Sequence, residues 1–105
     1  MHSGSIVVHS EAKIGKWCCI FQDVTIGQGM PPHSVPKIGD NVMINPGAKI
    51  FGDIEIGNEV MIGANAVVNK SFPEGHCRIA GVPARIISNK GNFWIDGENR
   101  WQELS

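Results

Sequence analysis

Aliphatic residues recur at every sixth position over most of this chain. The positions run from Val8 to Val68, and ten of the eleven hold Ile or Val. A second apolar lane lies two residues before each of them. An amphipathic helix would repeat every three or four residues and an isolated strand every two, so neither element explains a period of six. Glycine directly follows the first lane at five places, Gly15, Gly27, Gly39, Gly57 and Gly63.

A strict period of six predicts an all-β solenoid with triangular coils. Each side of the triangle takes one hexad, the aliphatic residue points into the prism, and glycine or Asn relieves the turn at a corner. Three hexads close a coil, so eleven hexads give about four coils, stacked at the roughly 4.8 Å spacing of hydrogen-bonded strands. The β-branched residues would then lie above one another in ladders.

Composition excludes several classes of function. The chain has 105 residues with 10 acidic and 9 basic side chains, which argues for one domain and against a nucleic-acid binder. No run of 18 apolar residues and no signal peptide are present, so we expect no membrane association and a cytoplasmic location. The three cysteines, Cys18, Cys19 and Cys77, are predicted to be reduced structural thiols.

The repeat is interrupted once and stops before the C-terminus. Residues 28–36 contain three prolines and are predicted to form a loop that leaves the prism. We expect residues 1–87 to form the β-helical domain. Residues 88–105, which hold two tryptophans and a phenylalanine, are expected to be a tail that packs on the prism or on a neighbouring protomer.

Beyond the period itself, five segments are similar to a known family. The chain resembles the bacterial hexapeptide-repeat acyltransferases from about residue 2 to residue 87, and within that family it is most similar to serine O-acetyltransferases and to acetyltransferases of capsule and exopolysaccharide synthesis. The segments are 2–8 (HSGSIVV), 20–27 (IFQDVTIG), 46–57 (PGAKIFGDIEIG), 62–68 (IGANAVV) and 80–85 (AGVPAR).

The resemblance implies a left-handed parallel β-helix, a homotrimer with an active site between protomers, and acetyl transfer from acetyl-CoA to a serine or sugar hydroxyl in a ternary complex. Relatives also carry a helical domain and an aspartate before the position of His2. Because the chain begins at Met1, we expect it to be truncated at the N-terminus. The alternative is a trimeric β-helix without a competent catalytic pair that still binds coenzyme A.

Acyl transfer to a hydroxyl needs a base, and imidazole titrates near working pH. The resemblance assigns that role to His2, in the segment that matches the family's catalytic histidine. It also suggests that His33 contacts the substrate, although the family's histidine corresponds to Val35, two residues further on. His9 and His76 are expected to be exposed turn residues.

A zinc site like that of the carbonic anhydrases that share the prism fold is not expected. The four histidines are separated by 7, 24 and 43 residues, which does not give the short fixed spacing such sites need. An ice- or polymer-binding surface is also excluded, because the chain has a single threonine, Thr25.

A pantetheine arm needs a groove floored by small residues whose backbone groups can form hydrogen bonds. The resemblance places coenzyme A on the later coils and has residues 81–85 close over its nucleotide end, with Arg85 and Lys70 meeting phosphate groups. The predicted cofactor-binding residues are Asn45, Gly47, Ala48, Gly63, Ala64, Ala66, Lys70, Gly81, Pro83 and Arg85.

Overall fold

Twelve short strands and their turns make up the part of the protein that the computed structural model describes, residues 5–31 and 33–90. This part contains no helix, and therefore none long and apolar enough to cross a membrane. The strands are β1 (Val7–Val8), β2 (Lys13–Ile14), β3 (Cys19–Ile20), β4 (Thr25–Gly27), β5 (Lys37–Ile38), β6 (Met43–Ile44), β7 (Lys49–Phe51), β8 (Glu55–Ile56), β9 (Met61–Ile62), β10 (Val67–Val68), β11 (Arg78–Ala80) and β12 (Arg85–Ser88).

The strands form the three faces of a prism. Sheet 1 holds β1, β4, β7 and β10; sheet 2 holds β2, β5 and β8; sheet 3 holds β3, β6, β9, β11 and β12. Pairing is parallel throughout except between β11 and β12. The chain therefore visits the three sheets in turn, as the period of six predicts. We call the corner between sheets 1 and 2 the first edge, that between sheets 2 and 3 the second, and that between sheets 3 and 1 the third.

Strand register shows which hexads form sides of the prism. Val7 pairs with Thr25 and Lys49 with Val67, which are 18 residues apart, but Thr25 pairs with Lys49, 24 residues on. The second coil thus contains one hexad more than the others. The twelve residues from Ile26 to Ile38 cover one step between faces, not two, and residues 28–36 occupy the first edge between β4 and β5.

The fourth coil closes although the regular spacing ends at Val68. Phe72 forms a parallel bridge with Ile56, and Ile79 pairs with Ile62. Intervals of four and seven residues replace the intervals of six, so periodicity alone did not reveal this coil. The prism has four coils of three sides, in agreement with the predicted number.

The core consists of the predicted aliphatic ladders. Ile26, Ile50 and Val68 lie above one another in sheet 1, and all three are fully buried. In the first coil, Val8 occupies the same ladder but is 39% exposed, because no described coil covers it. Burial therefore increases from the first coil to the inner coils.

The repeated glycines have a different role from the one expected. None of Gly15, Gly27, Gly39, Gly57 and Gly63 has a positive φ. At the second edge the left-handed conformation falls two residues after the glycine, at Trp17, Asn41 and Glu59, whose φ values are 64°, 59° and 62°. In the fourth coil it falls at the corresponding His76, with a φ of 52°. The expectation that these glycines relieve the turn is wrong, whereas Asn41 does adopt the turn conformation.

Four of the five glycines, all except Gly27, make room for the neighbouring coil. A Cβ atom on Gly39 would lie 2.3 Å from Oδ1 of Asn58, and one on Gly15 would lie 2.3 Å from Oδ1 of Asp40. The same oxygens accept hydrogen bonds from backbone amides one coil down, Asn58 from Asp40 and Asp40 from Lys16, each at 2.8 Å. The glycine at each of these positions thus allows a side chain to tie two coils together.

The cysteines are all free thiols, as predicted. Burial raises the pKa of the thiols of Cys18 and Cys77, which keeps them protonated and unreactive at neutral pH. Cys19 is exposed on β3.

Candidate active site

Most of the predicted cofactor-binding residues lie along the third edge. Hydrogen bonds between coils hold this edge together: Gly47 N donates to Gln22 O at 3.1 Å and Asn65 N donates to Pro46 O at 3.0 Å. Val67 N completes the series with a 3.0 Å bond to Gly81 O. Asn45, Gly47, Gly63, Ala64 and Gly81 thus form one column parallel to the prism axis.

Two glycines of this column and two alanines next to it are explained by coil packing. Gly47 has a φ of 80°, and a Cβ there would collide with Oδ1 of Asn65. A Cβ on Gly63 would lie 2.9 Å from that of Ala80. Ala48, like Ala66, is fully buried in the core, so only its backbone could take part in binding. Their role toward a cofactor stays a prediction.

Asn45 and Ala64 have different environments, because the Asn45 side chain is hydrogen-bonded to the next coil whereas Ala64 is exposed. The Asn45 side chain donates to Ile62 O at 2.9 Å, alongside the bond from its own backbone amide at 3.0 Å. Asn45 therefore connects its coil to the next one through two hydrogen bonds. Ala64 is exposed, and it offers small side-chain volume at the surface of the third edge.

The segment after β11 folds back over the end of the column. Gly81 turns the chain with a φ of 104°, and Ala84 N donates to Val67 O at 2.8 Å. Pro83 and Arg85 are both exposed. Arg85 thus lies exposed at the start of β12, beside the last coil.

Lys70 lies apart from the column. It follows β10 at the first edge, and its Nζ is 5.6 Å from the centroid of the Phe72 ring, a cation–π contact. Within one chain, Lys70 and the third edge are on opposite sides of sheet 1.

Lys49 brings a positive charge to the third edge that the sequence analysis did not single out. Its Nζ donates to Gly47 O at 2.9 Å and to Asp23 O at 3.3 Å. Its outward position on β7 is visible from the period, but the carbonyl contacts depend on the coil register.

His33 is on the loop at the first edge and contacts the first coil. Its Nδ1 lies 2.7 Å from Oε1 of Glu11. The hydrogen bond and charge of His33 lower the pKa of the Glu11 carboxyl below its usual value. Glu11 was not recognised from the sequence, because 22 residues separate it from its partner.

The other histidines occupy different positions. His76 pairs with Glu59 at 2.7 Å on the second edge. His9 accepts a 3.0 Å bond from Glu11 N through Nδ1, and it is half-buried, not fully exposed. His2, the predicted base, lies outside the described residues, as do residues 91–105 of the predicted tail. Within the described ranges, no three His, Cys, Asp or Glu side chains come together in a group that could hold a metal ion.

A polar groove of about 290 Å³ runs along sheet 2 and the second edge. Lys37, Glu55, Glu74 and His76 line it. None of the residues predicted for cofactor or acceptor binding lines this groove.

Comparison with known proteins supports the family resemblance. The family described as bacterial transferase hexapeptide (six repeats) matches residues 36–70. The serine acetyltransferase of Haemophilus influenzae is 46% identical over 90 residues, which span 83% of this chain and 33% of the relative. That of Synechococcus elongatus is 37% identical over 94 residues, 86% of this chain and 37% of the relative.

Solved structures give the same result. A serine acetyltransferase from Brucella abortus superposes with a TM-score of 0.76 at 41% identity, covering 82% of this chain and 35% of the other. A serine acetyltransferase in complex with CoA superposes with a TM-score of 0.71 at 45% identity, covering 78% and 33%. The predicted left-handed β-helix is thereby confirmed.

The chain belongs to the hexapeptide-repeat acyltransferases. Within that family, the relatives it matches include serine acetyltransferases. It spans between 33% and 43% of the length of these curated relatives.

Proposed function

We propose that the chain forms the β-helical part of an acetyl-CoA-dependent serine O-acetyltransferase. The observation that carries this proposal is the similarity of 37% to 46% to serine acetyltransferases over more than four fifths of the chain. The related structure in complex with CoA supports the choice of acyl donor. Because the acyl donor acetyl-CoA is a soluble metabolite, we propose a cytoplasmic location.

Each step of the proposed reaction is assigned to particular groups of the chain. The column at the third edge holds the pantetheine arm, and Arg85 meets the phosphates of the nucleotide end with charge-assisted hydrogen bonds. His2 removes the proton of the serine hydroxyl as the oxygen attacks the thioester carbonyl. The carbon–sulfur bond then breaks, and the CoA thiolate takes up that proton. Backbone amides stabilise the oxyanion between these steps.

The proposed site needs two protomers. His33 lies at the first edge and the cofactor column at the third, so one chain separates the two halves of the site. In a trimer with parallel prism axes, the first edge of one protomer faces the third edge of the next. We therefore propose a homotrimer of about 34 kDa, three times the chain mass of 11.4 kDa.

The first test is calorimetric titration with acetyl-CoA, which needs no acceptor. We expect one site per protomer in a trimer measured by sedimentation equilibrium. Arg85→Ala should weaken binding about tenfold, because a charge-assisted bond to phosphate is lost. Lys13→Ala, which removes an exposed cation on sheet 2, is the matched control and should leave affinity unchanged.

Turnover is then measured as release of the CoA thiol with L-serine, with His2→Ala as the inactive comparison. Binding without turnover would identify a β-helix that holds coenzyme A but lacks a competent catalytic pair. Absence of binding at millimolar acetyl-CoA would contradict the proposed function.

A further inference from the structure

The outer surface of sheet 3 differs in chemistry from that of sheet 2. In each short strand, the residue before the buried ladder position points away from the core, because successive side chains of a strand point to opposite faces. On sheet 2 these outward residues are two lysines and a glutamate. On sheet 3 they are Cys19, Met43, Met61 and Arg78. Sheet 3 thus presents a largely apolar outer row.

Met43 is buried although it points outward. It is 3% exposed, and no other outward residue of the described strands β1 to β11 is buried. Neighbours on adjacent strands do not account for this burial. Lys37 on sheet 2 also has a paired strand on each side, yet it is exposed. A group that lies over sheet 3 must therefore cover Met43.

Arg78, at the end of the same row, gives a second indication of this cover. It pairs with Met61 on the neighbouring strand, and its terminal nitrogen Nη2 is buried. The tip of an outward arginine side chain is normally in contact with water. The covered region therefore extends from Met43 on β6 across β9 to β11.

The C-terminal segment begins at the edge of this surface. β12 ends at Ser88 and is the outermost strand of sheet 3. Residues 91–105 lie outside the described residues, and they contain Phe93, Trp94 and Trp101. β6 is three strands from β12, which is about 14 Å at roughly 4.8 Å per strand. The five residues from Ser88 to Phe93 span about 17 Å when extended, so the segment can reach Met43.

We propose that residues 91–105 lie over the outer face of sheet 3 of their own chain, with their aromatic rings packed on Met43 and Met61. Thioether sulfur makes favourable contacts with aromatic rings. The segment also carries three acidic side chains and one arginine, so its net negative charge complements the positive charge of Arg78. The inference does not depend on the proposed function, because it involves no ligand and no reaction.

The chain supplies two internal controls for a test. Met30 is 94% exposed on the loop at the first edge, so its methyl group is a reference for a methionine in solvent. Trp17 is 81% exposed at the second edge, and it is the one tryptophan outside residues 91–105. A ring packed on Met43 shifts the resonance of its methyl group upfield, whereas a distant ring does not.

The experiment labels the methionine methyl groups of the whole chain with ¹³C. In the parent protein, the Met43 methyl resonance should lie upfield of that of Met30 and show nuclear Overhauser effects to aromatic ring protons. Combining Phe93→Leu, Trp94→Leu and Trp101→Leu should move it toward the Met30 position. Trp17→Leu should leave it in place, and circular dichroism of each variant checks that the prism is folded.

A mixture of chains distinguishes the chain's own segment from that of a neighbour. Labelled parent chains are unfolded and refolded with an excess of unlabelled triple-variant chains. The Met43 resonance should keep its upfield position, because each labelled chain retains its own rings. A move toward the Met30 position would mean that a neighbouring protomer supplies the cover, and the proposal would then be wrong.

Two results in the unmixed protein would also overturn the proposal. One is a Met43 resonance that is the same in the parent and in the folded triple variant. The other is a shift caused by Trp17→Leu, which would assign the cover to the second edge. If the triple variant does not fold, the nuclear Overhauser effects in the parent decide, because their absence at the Met43 methyl group contradicts the packing.

Discussion

At the scale of single residues, glycines in the same place in the repeat serve different needs. A Cβ on Gly39 would lie 2.3 Å from Asn58 Oδ1 and 2.9 Å from the Gly57 carbonyl carbon, whereas a Cβ on Gly27 would meet nothing closer than 4.0 Å. The sequence shows the same aliphatic–glycine pair at both positions. Only the register of the adjacent coil distinguishes them.

We therefore expect Gly39→Ala to destabilise the fold by about 1–3 kcal/mol through overpacking, and Gly27→Ala to be nearly neutral. Both glycines have ordinary φ values, so backbone strain does not separate the two variants. Urea unfolding followed by circular dichroism measures the difference. Equal loss of stability in both would show that the glycines serve the turn after all.

At the scale of elements, the loop between β4 and β5 is one hexad added to a regular coil. Removing residues 30–35 would join Gly29 to Pro36 and leave six residues from Ile26 to Ile38. That spacing is the one between Ile50 and Ile56, which lie on the same two faces one coil further along.

The shortened protein should fold with an unchanged circular dichroism spectrum and a cooperative thermal transition. It lacks His33, so we expect acetyl-CoA binding without efficient use of L-serine. The parent protein measured in parallel is the reference. An aggregated product, or loss of the cooperative transition, would mean that the loop is required for the second coil to close.

The sequence predicted the elements better than it predicted the site. The period of six places nearly every ladder residue, because burial in a prism demands an aliphatic side chain once per side. It does not reveal Phe72 and Ile79, which close the fourth coil at irregular spacing. It also misses the contact of Glu11 with His33 and that of Lys49 with Asp23, because these partners are 22 and 26 residues apart in the sequence and are brought together by the stacking of coils.

At the scale of the whole molecule, the prism is stabilised from coil to neighbouring coil. β7 pairs with a strand on each side, whereas β1 pairs on one side only among the described strands. Ile6 and Val8 are 46% and 39% exposed, whereas Ile50 is fully buried. In such an array stability is roughly a sum of nearest-neighbour terms, so the first coil should open before the inner coils.

Hydrogen exchange measures this gradient directly. The amides of Cys19 and Met61 are both bonded to the next coil, at 2.9 Å to Val42 O and 3.0 Å to Cys77 O. We expect Cys19 to exchange at least about tenfold faster, through local opening of the first coil. Equal protection of the two amides would show instead that the prism opens as a single unit.

The second edge offers a consequence for protein engineering. Trp17, Asn41, Glu59 and His76 share one backbone conformation there, yet they are an aromatic ring, an amide, an acid and an imidazole. The position determines the backbone conformation but does not restrict the chemical type of the side chain. Each coil contributes one such side chain, so neighbouring positions of the column are about 4.8 Å apart. Substitutions at these positions can therefore place chosen functional groups at a fixed spacing and in a set order.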